Sequence, residues 1–138
     1  MKSYIKLFGP PIGKAITKLE TITVNYPKVC MMNRAIIDNI PSYLGNDIGI
    51  SKATETRDLN TPKLEWTDWV MRYSNSQGLS VSRERCMTLI SKAGSDLGEY
   101  DFFYEWLEVP GSGNINELIE KIDNNLSSLG CLYTITTR

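Results

Sequence analysis

Ile115, Leu118, Ile119, Ile122, Leu126 and Leu129 recur at three- and four-residue intervals, which lines them along one side of a helix. Such a stripe needs an apolar layer to bury against, and the flanking sequence supplies strands on both sides. Glu99 to Val109 reads as an aromatic-rich strand, and Pro110-Gly111-Ser112-Gly113 reads as a turn. Asn114 followed by Glu117 resembles a capping box with Asn in place of Ser or Thr. Gly130 stands where a helix C-cap glycine belongs. Cys131 to Thr137 is β-branched and predicts a final strand.

The first thirty-odd residues repeat this order without sharing its sequence. Tyr4 to Phe8 is a short apolar run stopped by Gly9-Pro10-Pro11, and proline suits a first helical turn, where its missing N–H is not needed. Ile12, Ala15, Ile16, Leu19 and Ile22 then follow a helical period, with Lys14 and Lys18 on the other side. Asn25-Tyr26-Pro27 breaks the pattern, and Val29 to Ile37 reads as a buried strand.

Residues 39–98 are less regular. Thr61-Pro62 is a good N-cap and N1 pair, predicting a helix to about Gln77 that carries Trp66, Trp69, Val70 and Tyr73 on one face. Arg85 to Lys92 reads as a strand in a hairpin with the one starting near Glu99. Two βαβ-type halves in one α+β domain spanning 1–138 predict a ferredoxin-like split βαβ sandwich, an antiparallel sheet with helices on one face. The middle segment is then an insertion carrying an extra helix and strand.

Composition narrows the chemistry. The chain has no histidine, so the commonest general base, Ser-His and Cys-His pairs, and imidazole zinc sites all drop out. A net charge of −1 argues against a general nucleic-acid binder. There is no apolar leader and no span long enough for a bilayer, so neither a membrane partner nor an exported protein is expected. Cys30, Cys86 and Cys131 are odd in number and widely spaced, which suits buried thiols in the cytoplasm better than a disulfide framework.

Several constellations invite a sharper reading. Gly9-Pro10-Pro11-Ile12-Gly13-Lys14-Ala15 has the strand–loop–helix setting of a phosphate loop but not its chemistry. The glycines are one residue too close, Ala15 replaces the magnesium-binding Ser or Thr, and the prolines lack N–H groups. Gly13 and Lys14 are left as candidates for contact with a small anionic ligand. Tyr100, Phe102, Tyr104 and Trp106 alternate, giving one strand face wholly of rings. Glu99, Asp101, Glu105 and Glu108 would repel the phosphates of stacked bases, so these rings pack beneath helices or in a subunit interface. Trp66 and Trp69, with Met71, form a second candidate docking surface. Cys30 and Met32 share a strand face, but no metal-ligand spacing surrounds them, and no cofactor or metal is expected. On a strand, Cys86 would point away from Arg83 and Arg85, so they would not activate it.

Charge is unevenly spread. Met1 to Arg34 holds six Lys or Arg against Glu20 alone, and Asp96 to Arg138 holds eight acids against Lys121 and Arg138. Such halves can pair across a subunit contact. The expectation is a non-enzymatic interaction protein, a homo-oligomer or accessory subunit, whose partner is itself or another protein chain. The rival is a small-molecule site at a subunit interface, drawing on groups such as Lys14, Arg72, Tyr104 and Glu105.

Overall fold

Four strands form one antiparallel sheet in the order β2-β3-β1-β4: β1 (Lys2–Phe8), β2 (Val29–Asn33), β3 (Phe102–Trp106) and β4 (Leu132–Thr137). The computed structural model describes residues 1–51 and 64–138. The expected Thr61-Pro62 helix start lies outside the described residues. The fold is mixed α+β with an open four-stranded sheet.

Helices α1 (Ile12–Asn25) and α6 (Ser112–Leu126) lie side by side on one face of the sheet. Leu118, Ile122 and Leu126 are buried there, and Ile115, Ile119 and Leu129 pack partly buried around them. The helix opens earlier than the capping-box pattern predicts. Gly111 is the N-cap, and the Asn114 side chain reaches back to accept its N–H at 3.1 Å. A tight 3-10 turn at Ser127–Leu129 ends in Gly130, whose φ of 70° suits a residue without a Cβ.

The segment between β2 and β3 differs most from expectation. The strand from Val29 stops at Asn33, because the Asn33 side chain accepts the N–H of Ile36 at 3.0 Å and starts a helix, α2 (Arg34–Asn39). A one-turn α3 (Ser42–Gly45) follows, then α4 (Trp66–Ser76) after the undescribed stretch. Arg85 to Lys92 is not a strand. Ser82 caps α5 (Arg83–Leu89) by accepting the Arg85 N–H, and Cys86 and Leu89 fall on its buried side. Only Ile90 keeps a strand contact, a parallel bridge to Met31 reinforced by Ser91 N–H to Met31 O at 2.8 Å. The expected hairpin is therefore absent, and Ile90 instead closes the outer edge of β2.

Cross-strand register sorts the side chains by face. Ser3, Ile5, Leu7, Val29, Met31, Phe102, Tyr104 and Trp106 share the helix side, and Lys2, Tyr4, Cys30, Met32, Phe103 and Glu105 share the other. That second face is not left open over β1, β2 and β3, as helices on one face alone would leave it. The chain from Ser91 to Tyr100 runs across it. Lys2 pairs with Asp96 and Glu105, the Lys6 ammonium donates to Glu99 O, and Ser91 Oγ meets Glu105. Met32 and Phe103 are fully buried beneath. Gly94 approaches Ile48 so closely that a Cβ there would sit 3.0 Å from the Ile48 carbonyl oxygen.

Arg85 ties the segment between β2 and β3 to α1. Its Nη2 donates to Thr23 O at 2.8 Å and Val29 O at 2.6 Å, so a cation reaches the end of a helix whose own last turn carries none. No helix among the described residues is long and apolar enough to cross a membrane.

Candidate functional site

The aromatic strand divides between the two faces. Phe102, Tyr104 and Trp106 lie under the helices, where the Tyr104 hydroxyl donates to Leu19 O at 2.8 Å and the Trp106 indole donates to Ser3 Oγ at 3.0 Å. All three are buried. Tyr100 does not join them, contrary to the simple alternation. The Leu7 N–H donates to the Asp101 carboxylate at 2.7 Å, and the regular ladder begins only at Phe102. The Tyr100 ring instead lies 4.8 Å from Tyr4 on the far face, with the Arg138 guanidinium over both rings.

On α4, Trp69 is buried and stacks on Tyr73 at 5.6 Å, while Trp66 is half-buried with the Lys92 ammonium 5.1 Å above its ring. The Trp66 indole N–H has no hydrogen-bond partner among the described residues. Cys86 lies on the buried face of a helix, not on a strand, and burial raises its pKa. Burial, followed by the nearby Glu105 charge, pushes the Cys30 thiol up to about 12. These thiols are poor nucleophiles and poor metal ligands as they stand. Among the described residues no cluster of three or more His, Cys, Asp or Glu could hold a metal ion.

Sequence reasoning missed a buried carboxyl group. Glu20 of α1 is fully inaccessible, and its Oε2 accepts the Tyr73 hydroxyl at 2.6 Å and the Asn33 amide at 3.2 Å. Its Oε1 has no partner among the described residues. Burial raises the Glu20 pKa against the opposing effect of these two donors. The signal was present: Glu20 adjoins Leu19 on the apolar side of α1, where a solvated acid does not belong. The arrangement staples α1, α4 and the β2–α2 junction, and none of the clefts described next includes it.

The surface offers two recesses of note. One, of about 360 Å³, lies between Pro27-Lys28 and the chain leaving β3, with Trp106, Leu107, Glu108, Val109, Pro110 and Asn114 around it. The Leu107 N–H bonds Lys28 O at 3.0 Å and joins its two walls. Leu107 is 47% exposed and Val109 87% exposed, so large apolar side chains stand in water at its rim. The other, of about 260 Å³, is lined by Gly13, Lys14, Thr17, Lys18 and Leu129. Gly13 and Lys14 are exposed there, and the Thr17 hydroxyl is occupied by Gly13 O. No side chain caps the start of α1.

The residues of the rival small-molecule reading do not converge. Tyr104 and Glu105 face opposite sides of β3, and Lys14 and Arg72 are exposed on α1 and α4. Part of the charge asymmetry is settled inside the chain through Lys2, Asp96 and Glu105. The chain matches no known family model, no curated protein and no solved structure.

Proposed function

We propose that this chain is a non-enzymatic interaction protein, working as a homo-oligomer or as an accessory subunit of a larger complex. The frame we assign to it is the ferredoxin-like split βαβ sandwich with an insertion between β2 and β3. The strand order supports that assignment, since β3 lies between β1 and β2, and β1 between β3 and β4, with every neighbour antiparallel. Three buried free thiols suit a reducing compartment, the cytoplasm.

The observation that carries the reading is the cleft floored by Trp106. Leu107 and Val109 at its rim, and Met1, whose carbonyl accepts the Trp106 N–H, are all large apolar residues exposed to water. Apolar side chains gathered beside a recess are what a protein contact covers. A partner segment of another chain would seat an apolar side chain in the recess, with Lys28 and Glu108 at its margin.

Native mass spectrometry of the protein taken from its source cell tests this. The expected result is a mass above 15.6 kDa, from which the chain seated at the cleft is lost in Leu107→Asp with Val109→Asp. A single chain carrying only a small adduct would favour the small-molecule reading. A bare single chain would overturn both.

A further inference from the structure

The two edges of the sheet are treated differently. Ile90 and Ser91 close the outer side of β2, whereas no strand pairs with the outer side of β4 among the described residues. The pairing of β4 with β1 fixes which of its backbone groups are left over. Lys2 and Arg138 exchange both hydrogen bonds at 2.9 Å, so by the antiparallel alternation Thr136, Thr134 and Leu132 also face β1. Tyr133, Ile135 and Thr137 therefore aim their N–H and C=O groups outward from the sheet.

Sheet edges in soluble proteins are normally protected by charge, proline or a bulge. This one has none of them. Leu132–Thr137 reads LYTITT, uncharged and without proline, and its register with β1 runs unbroken from Thr137 to Leu132. Leu132, Thr134 and Thr136 are exposed on the face away from the helices, with Leu132 at 72% and its cross-strand neighbour Phe8 at 48%.

We infer that β4 pairs antiparallel with β4 of a second copy of this chain, joining two four-stranded sheets into one across a two-fold axis. This rests on the reading of the chain as an interaction protein and names one partner for it. One antiparallel register pairs all three outward residues of both copies. Ile135 stands opposite Ile135 of the second copy, and Tyr133 opposite Thr137 of the second copy. Every outward N–H and C=O of these residues then meets a partner. On the exposed face Thr134 lies opposite Thr136 of the second copy, and Leu132 lies against the aliphatic stem of Arg138 of the second copy. No like charges meet, and a net charge of −1 per chain opposes the approach of two copies very little. The Ile135 side chains, each partly buried against its own core on the helix side, meet at the axis and add apolar contact there.

Sedimentation at micromolar concentration, with cross-linking, tests the pairing. Wild type should sediment at twice the chain mass of 15.6 kDa. Thr134→Lys with Thr136→Lys sets lysines opposite one another and should sediment as a single chain with an unchanged circular dichroism spectrum, because both side chains are exposed. Thr134→Cys with Thr136→Cys should give a disulfide-linked dimer under mild oxidation, and either single variant should give little. A wild-type dimer that survives the lysine pair and resists the cysteine pair would overturn the β4 contact while leaving the interaction reading intact. A wild-type single chain that nevertheless holds another protein would overturn it too, with the same reading left standing. A single chain with no partner would remove both.

Discussion

Tyr73 donates a 2.6 Å hydrogen bond to Glu20 Oε2, and through it α4 is held to α1 by a carboxyl group whose pKa burial raises in the fold. The folded-state pKa of Glu20 lies above the unfolded value of about 4.3. Its favourable contribution is therefore full below that unfolded value and is lost as pH rises through the folded one. Glu20→Gln should gain stability relative to wild type as pH rises from the unfolded carboxyl value through the folded one. Urea unfolding of both proteins at several pH values measures this, and a difference that stays flat across the range would show that Glu20 titrates alike in both states. Tyr73→Phe should cost about 1–3 kcal/mol, since it strips a donor from a buried carboxyl.

The docked face of α6 separates two adjacent isoleucine positions. Ile122 is fully buried, and Ile122→Ala should cost about 2–5 kcal/mol. Ile119 is half-buried, so Ile119→Ala should cost clearly less in the same thermal or urea melts. Equal losses at both would mean that the helix is rotated from its position here.

Aromatic substitutions should melt the protein rather than merely detach a partner. Tyr104→Phe removes the bond to Leu19 O and should cost about 0.5–1.5 kcal/mol. Trp69→Ala and Trp106→Ala empty buried volume and should each cost about 3–5 kcal/mol. If either Trp variant kept the wild-type melting temperature while losing its assembly, that ring would belong to an interface.

The thiols should be silent in the native state. Cys30, Cys86 and Cys131 are all free and buried, and burial raises the first two above the ordinary thiol range. A chromogenic disulfide reagent at mildly alkaline pH should label them only as denaturant unfolds the chain, and reductant should leave the melting curve unchanged. Rapid labelling in native buffer would contradict the packing around them.

The long elements were legible because their periodicity runs over several turns. Ala15, Leu19 and Ile22 in α1, and Leu118, Ile122 and Leu126 in α6, bury as their spacing requires. The short helices were masked by β-branched and apolar runs, Ile36-Ile37 in one and Met87 to Ile90 in the other. A single capping side chain, Asn33 or Ser82, outweighed that local strand preference. Simple alternation misplaces Tyr100, because it holds only while the strand is regular, and here regularity starts at Phe102. The Glu20, Tyr73 and Asn33 cluster was out of reach for a different reason. Its members are far apart in the chain and meet only once α1, α4 and β2 have packed.

The chain between Ser91 and Tyr100 closes the far face of the sheet, and this changes what the segment between β2 and β3 is. It is not a lobe appended to a self-sufficient frame. A protein shortened between β2 and β3 would bare Met32, Phe103 and Tyr4 to water and would strip the α1 carboxyl terminus of Arg85. The four strands and their two long helices thus cannot serve as a minimal scaffold. The stretch from Ser91 to Tyr100 is a second wall of the same core.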